Sequence, residues 1–212
     1  MRSYLLMGAL MAGFIPGAVS SDTGGAHLLV RHEVADYGRW RQGFDSLRAD
    51  HRKMGISGES VFRGTEDPND VTVDEVWKSA EDARTQAASP GLKATMQKFG
   101  VTGTPQIWVV SLTPGSSGTA GAIRMFVQHE VADYAAWRKA YDQFQSTRRT
   151  MGVTAQGVYQ STENPHQVIA YHDFASLEKA RAFAASPNLK TAMQGAGVKG
   201  EPQIWFTARA LK

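Results

Sequence analysis

The sequence predicts an α+β fold built from two tandem ferredoxin-like units packed sheet to sheet, and three observations predict it. First, the chain repeats itself at a shift of 97 positions: Val30-Arg31-His32-Glu33-Val34-Ala35-Asp36-Tyr37 aligns with Val127-Gln128-His129-Glu130-Val131-Ala132-Asp133-Tyr134. The register holds without a gap to Pro105-Gln106-Ile107-Trp108 against Pro202-Gln203-Ile204-Trp205, with roughly half of the paired positions identical. Second, each copy reads strand, helix, strand, strand, helix, strand, the order of a four-stranded antiparallel sheet with helices on one face. Third, units of about 80 residues bury only about two-thirds of their unfolded surface, so each bare sheet face needs a cover. The other copy supplies it, and eight strands curl around a shared interior.

The elements follow in order. Leu28 to Val34 and Met125 to Val131 alternate, so that Leu28, Val30, His32 and Val34, and likewise Met125, Val127, His129 and Val131, form one mostly apolar face of a strand. Asp36 and Asp133 follow as helix N-caps, because a short acceptor side chain bonds the free amides of a first turn. The next helix carries Tyr37, Trp40, Phe44, Leu47 and Met54, and its twin Tyr134, Trp137, Tyr141, Phe144 and Met151, with Gly55 and Gly152 as C-terminal stops. Short strands at Ser60 to Arg63 and Val71 to Trp77 flank the turn Glu66-Asp67-Pro68-Asn69. The second copy repeats them at Val158-Tyr159 and Val168 to Phe174 around Glu163-Asn164-Pro165-His166. A second helix opens at Ser79 or Ser176 and breaks at Ser89-Pro90 or Ser186-Pro187. It resumes with Leu92 and Met96 or Leu189 and Met193, then ends at Gly100 or Gly197. A last strand spans Gln106 to Val110 and Gln203 to Thr207. The expected organisation is a leader over 1–26, a first unit over 27–110, a flexible linker over 111–122 and a second unit over 123–212.

Arg2, the apolar stretch from Leu5 to Ile15 and the small residues Ala18-Val19-Ser20 have the order of a secretory signal peptide, with an apolar part too short to span a bilayer. A periplasmic or secreted protein is expected, with a cytoplasmic one as the alternative, and no membrane segment in the mature form. The net charge of +3 is spread along the chain, and its densest basic patches, His51-Arg52-Lys53 and Arg148-Arg149, sit at helix ends where cations suit the dipole. No basic stripe interleaves with aromatics, so nucleic acid is not an expected partner. Cysteine is absent, which excludes disulfides, thiolate metal sites and cysteine nucleophiles. A Gly-rich phosphate loop, a nucleophile elbow and zinc-type His/Cys spacing are absent too.

His-Glu-Val-Ala-Asp-Tyr-x-x-Trp, the Met-Gly after the first helix, Ser-Pro-x-Leu-Lys-x-x-Met and Gly-Val-x-Gly-x-Pro-x-Ile occur in both copies. With these motifs the chain resembles the dimeric α/β-barrel superfamily of the antibiotic-biosynthesis monooxygenases, and more narrowly a cyclase-like bacterial subgroup. The resemblance covers 27–110 and 124–207. It implies an intramolecular dimeric α/β barrel, closed within one chain. The superfamily includes cofactor-free oxygenases, isomerases, haem-degrading enzymes and haem peroxidases, so the fold does not name a reaction.

His32 and His129 are the leading candidates for acid–base chemistry, since each sits near the end of an apolar strand face and imidazole titrates near neutral pH. The first and third strands are neighbours in such a sheet, which sets Glu75 toward His32 and His172 toward His129. A His–Glu pair suits proton transfer and a His–His pair a metal, with His166 or Asp173 as further ligands. Neither set is complete in the sequence, and no metal site is assigned. Tyr37, Trp40, Tyr134 and Trp137 are candidates to line a small-molecule pocket between helix and sheet. Trp108 and Trp205, which share a strand face with Gln106 and Gln203, are further ligand candidates or pack between the sheets. Arg52 and Arg149 recur at a helix end as solvated cations. The expected function is that of a small-molecule enzyme of the cofactor-independent monooxygenase, cyclase or isomerase type, acting on an apolar or aromatic substrate without a bound cofactor. A non-catalytic ligand-binding or structural module, or a haem or metal protein, is the alternative, and self-association as a homo-oligomer is left open.

Overall fold

The structure, a computed structural model, describes residues 25–210. The expected signal peptide lies outside them. The first half runs β1 (Ala26–Val34), α1 (Tyr37–Ser46), α2 (Arg48–Lys53), β2 (Gly58–Gly64), β3 (Asp70–Trp77), α3 (Ala80–Ala87), α4 (Pro90–Lys98) and β4 (Val101–Leu112). After a short β5 (Ser117–Gly118), the second half gives the same series: β6 (Ile123–Val131), α5 (Tyr134–Gln143), α6 (Gln145–Thr150), β7 (Val153–Ser161), β8 (Gln167–Phe174), α7 (Leu177–Ala184), α8 (Pro187–Gly195) and β9 (Val198–Arg209). Among the described residues, no helix is long and apolar enough to cross a membrane.

Each half pairs its strands in the order β4-β1-β3-β2 or β9-β6-β8-β7, and two antiparallel seams join the halves. In one, Phe62, Arg63 and Gly64 of β2 face Arg209, Ala208 and Thr207 of β9; in the other, Val110 to Leu112 of β4 face Ser161 to Tyr159 of β7. The eight long strands thereby close on themselves, which removes the exposed edges an open sheet would present. The expected barrel forms, and β5 adds a two-residue rung to β7.

The period-two alternation of the strands divides side chains between two cores. Leu28, Val30 and Val34 of β1 face the helices, where they pack with Ile56, Trp77 and Ala83 or with Trp40, Phe44 and Val73. Leu29 points the other way, into a barrel core with Phe62, Val110, Phe126, Tyr159, Ile169 and Trp205. That interior also holds polar groups, each one partnered. Arg124 donates from Nε and Nη2 to Asp173 at 2.7 and 2.9 Å, and Asp74 joins His27 at 2.7 Å and the Tyr159 hydroxyl at 2.8 Å. Burial opposes the charge on Arg124, but the bonds to Asp173 outweigh it and hold the guanidinium charged.

Several boundaries differ from the sequence expectation. The first helix is two helices, because the backbone tightens at Leu47, whose N–H bonds Phe44 O at 3.1 Å, and swings α2 across the sheet. Met54 is exposed, whereas Met151, after the same break at Phe144, packs against the core of its half. The last strand of each half is longer than expected, since its C-terminal end makes the seam with the other half. The stretch between the halves is held along β7 rather than running free: Thr113 N bonds Val158 O at 2.8 Å and Thr119 N bonds Thr154 O at 3.0 Å.

One irregularity positions the site. The β1–β4 ladder pairs Arg31 with Gln106 and Glu33 with Thr102, so Gly103-Thr104-Pro105 form a bulge opposite His32. The β6–β9 ladder does the same opposite His129, with Gly200-Glu201-Pro202. Gly103 and Gly200 take φ of +64° and +65°, a left-handed conformation that glycine adopts at little cost, and proline suits a stretch released from ladder bonding. The repeated Gly-x-Pro is therefore bulge chemistry.

Candidate functional site

Between the helices and the outer face of the sheet, each half holds a small cavity around the strand histidine, of about 60 Å³ in the first half and about 50 Å³ in the second. His32, Trp40, Phe44, His51 and Glu75 line the first; His129, Trp137, Tyr141, Arg148 and His172 occupy the corresponding positions in the second. Asp36 accepts from Arg39 N and Asp133 from Ala136 N, both at 2.7 Å, so these aspartates cap the helices that carry Trp40 and Trp137. His32 lies 5.4 Å from Trp40 between ring centroids, and His129 5.4 Å from Trp137, at near-equal tilts.

Both imidazoles are buried and neither ring nitrogen of either has a hydrogen-bond partner. Buried polar atoms are normally paired, so four unpaired ring nitrogens in two equivalent places need a reason. Burial holds both rings neutral, pulling each pKa down to about 4, against a smaller upward pull from Asp70 on His32 and, on His129, from the Val127 backbone, which is near the ring but outside bonding geometry. The pairing expected between Glu75 and His32 does not form. The β1–β3 register sets Val71 opposite His32 and Glu75 opposite Leu28, four residues away along the strand. The same register separates His129, opposite Val168, from His172, opposite Met125.

The second pocket carries a polar wall. Arg148, 1% exposed, donates from Nε to Gln156 Oε1 and from Nη1 to the Tyr141 carbonyl, both at 2.6 Å, with its guanidinium 3.7 Å from the Tyr141 ring centroid. Its Nη2 has no partner, and among the described residues no carboxylate is ion-paired with it. The Tyr141 hydroxyl lies 3.3 Å from His172 Nε2. Burial pushes Tyr141 up to about 12, against the nearby arginines, so the phenol keeps its proton and donates to Nε2. His172 is neutral too, pulled down to about 3 by burial, then by Arg148 and His129. Its proton then resides on Nδ1, an unpartnered donor.

The first pocket differs at the same positions. His51 Nδ1 pairs with Glu59, and Trp77 Nε1 donates to Glu75 Oε2 at 3.0 Å. Glu75 is pushed up to about 7 by burial, against the pull of His51 and Trp77.

The remaining sequence candidates scatter. Tyr37 lies under the Arg63 guanidinium at 3.7 Å and, like Tyr134, contacts the pocket tryptophan without lining the pocket. Trp108 and Trp205 stack at 6.1 Å inside the barrel, with Trp205 Nε1 bonded to Thr72, so they belong to the opposite sheet face. Neither extra metal ligand reaches His172: Asp173 alternates into the barrel and bonds Arg124, while His166 is exposed in a turn. Sequence reasoning missed His51, Glu59, Tyr141, Arg148 and Gln156 as pocket groups. In one dimension Arg148 has the pattern of a helix-end cation, because the break at Leu47 and Phe144 that turns it inward leaves no mark in the apolar stripe.

No protein-family model matches the chain, and no curated protein does. Solved structures match at identities that bear on the fold alone. An anthrone oxidase-like protein is 15% identical over 89% of this chain and 92% of that one, with a TM-score of 0.66. A ferredoxin-fold protein from Listeria monocytogenes 4b F2365, related to antibiotic biosynthesis monooxygenases, is 7% identical over 90% and 98%, with a TM-score of 0.53. A heme-binding protein from Thermus thermophilus is 11% identical over 88% and 91%, also with a TM-score of 0.53. The chain has the ferredoxin-like fold of the monooxygenase-related proteins, and likeness of fold leaves the reaction to be argued from the pockets.

Proposed function

We propose that the second-half pocket binds a small aromatic molecule and removes a proton from it, the step with which cofactor-free oxygenation begins and which cyclisation and isomerisation share. The observation that carries this reading is Arg148: a buried guanidinium with no carboxylate partner and a free N–H at a cavity whose other polar groups are neutral. Such a charge is costly unless an anion meets it. A substrate phenolate or enolate is that anion, formed where its charge is stabilised rather than before it arrives. His129 is the base in this reading. A lone buried imidazolium is disfavoured, which is why the ring is neutral at rest; with an anion forming beside it, the imidazolium is paired and the ring's basicity rises in the same step. His172 Nδ1–H and Arg148 Nη2–H orient the substrate oxygen. Oxygenation then converts a CH₂ between two aryl rings to C=O, one atom of O₂ entering the substrate and the other leaving as water.

The cavity is small, so a fused-ring substrate enters only as Leu189 and Met193 of α8 shift, and methionine is suited to such repacking. Haem is larger still, and although His32 and His129 offer free ring nitrogens, seating a macrocycle would need far more of the helix layer to move than these two side chains. The test uses anthrone as probe and follows O₂ uptake and anthraquinone formation. The wild type should exceed the buffer rate, and Arg148→Met should lose about 10²–10³-fold while keeping the fold, since methionine removes a buried charge that no carboxylate pairs and so offsets the loss of the bonds to Gln156 and the Tyr141 carbonyl. Turnover unchanged in Arg148→Met, or a wild-type rate equal to autoxidation in buffer for anthrone and for simpler phenols, overturns the reading.

A further inference from the structure

In the first half, a different cluster stands apart and does not depend on the reading of the second pocket. His51 of α2, Glu59 of β2 and Glu75 of β3 bring one imidazole nitrogen and two carboxylate oxygens within 4.8 Å of one another. Three elements converge to do this. The turn at Leu47 lays α2 over the sheet and buries His51, and the β2–β3 register places Glu59 directly opposite Glu75. Like charges directly opposite on neighbouring strands repel, and among the described residues no lysine or arginine is bonded to either carboxylate. Arg41 and Arg48 lie close by, but both are paired with Asp45.

The second half shows what the arrangement lacks. There the three positions are Arg148, Gln156 and His172, and the Arg148 guanidinium donates directly to Gln156 Oε1. A built-in cation stands where the first half has an imidazole between two carboxylates. The cavity beside the cluster holds a further unsatisfied group: His32, buried with both ring nitrogens unpartnered, lines the cavity that His51 and Glu75 also line, four residues along the strand from Leu28, the partner of Glu75.

We propose that His51, Glu59 and Glu75 bind a divalent transition-metal ion through His51 Nδ1 and one oxygen of each carboxylate. Imidazole with two carboxylates suits Zn²⁺, Fe²⁺ or Mn²⁺ rather than Mg²⁺, and two negative charges neutralise the ion. Donors around tetrahedral zinc stand roughly 3.3 Å apart, so side-chain rotations of about 1–2 Å complete the set with the strands in place. The cavity on the His32 side gives room for an exchangeable fourth ligand, a water or an oxygen of a bound molecule, as in three-ligand zinc sites. On the other side, a cleft of about 360 Å³ reaches His51 and Glu59 and is lined also by Arg41, Arg48, Arg52 and Arg209.

The test titrates chelator-stripped full-length protein with Zn²⁺, Mn²⁺ and Mg²⁺ by calorimetry, with metal analysis after desalting. One Zn²⁺ per chain is expected, bound more tightly than Mg²⁺. Glu59→Gln and Glu75→Gln should each weaken Zn²⁺ by at least about tenfold, the double variant should retain none, and His166→Ala, which removes an exposed imidazole, should bind as the wild type does. Circular dichroism of the stripped variants separates lost ligands from lost fold, and Zn²⁺ should raise the melting temperature of the wild type but not of the double variant. Sub-stoichiometric uptake, equal uptake in the double variant, or loss in His166→Ala overturns the proposal. None of these outcomes bears on anthrone turnover.

Discussion

Two pockets in this molecule share one frame and carry opposite chemistry. Both rest on a bulged strand bearing a histidine, an aspartate-capped helix bearing a tryptophan, and a Ser-Pro helix closing the side. The apolar differences compensate: Phe99, Gly43 and Leu47 in the first half become Ala196, Ala140 and Phe144 in the second, and the cavities stay near 60 and 50 Å³. A β-carbon on Gly43 would overlap the Phe99 ring, so the alanine at 140 goes with the alanine at 196. The polar differences do not compensate. His51, Glu59 and Glu75 give way to Arg148, Gln156 and His172, which turns an acidic, cation-seeking set into a cationic, anion-seeking one. The lesson is that the repeat preserved the frame while the three polar positions of the pocket all changed charge class, His51 to Arg148, Glu59 to Gln156 and Glu75 to His172.

The largest expected effect separates the two histidines that look most alike. His129→Ala should cut proton removal from anthrone by about 10²–10⁴-fold, the usual contribution of a general base. His32→Ala should leave that rate within about twofold, since Arg148 has no counterpart in the first pocket. Steady-state rates of the two variants decide it. Equal losses in both would make the pockets functionally equivalent and dissolve the contrast.

Acid stability gives the next contrast. His32 and His129 are held at about 4 and His172 at about 3, against 6.5 in an unfolded chain. Between pH 6.5 and about 4 the unfolded chain therefore binds more protons than the folded one, so stability falls as pH falls through this window and is untouched by these groups above it. At pH 5 each histidine should cost about 2 kcal/mol, one in the first half and two in the second. His129→Gln with His172→Gln should flatten the acid limb about twice as much as His32→Gln, read from denaturant midpoints at pH 7.5 and 5. An equal flattening would mean that the second pocket opens to water before it titrates.

The architecture was largely legible because repetition and alternation are written along the chain. The identity between copies, the split strand order and the Asp36 and Asp133 caps each follow from local chemistry that tertiary context did not override. The sites were half legible. His32 and His129 stood out because a polar side chain on an apolar strand face is conspicuous in one dimension. His51 and Arg148 did not, since they look like ordinary helix-end cations until the turns at Leu47 and Phe144 carry them under the helix layer. Strand adjacency alone points Glu75 at His32, the wrong partner, because adjacency carries no register. The usable signal was the disagreement between copies: positions 51/148, 59/156 and 75/172 all change charge class within otherwise similar surroundings.

The smallest effect tests whether the frame is truly shared. Gly103 and Gly200 hold φ near +65°, and a β-carbon at either would meet nothing within 4 Å. Alanine there is opposed by backbone conformation alone, at roughly 1–2 kcal/mol, or a drop of about 2–8 °C in melting temperature for a chain this long. The two losses should match, since the bulges are alike in sequence and angle. Their functional effects should not. The Gly200 bulge lies opposite His129, so strain there shifts the ring against its substrate and lowers turnover, whereas the same strain at Gly103 acts only on His32. Matched thermal losses with turnover lowered by Gly200→Ala alone would place the shared frame and the divided chemistry in one pair of measurements; unmatched thermal losses would show that the two bulges, identical in backbone, are carried by different surroundings.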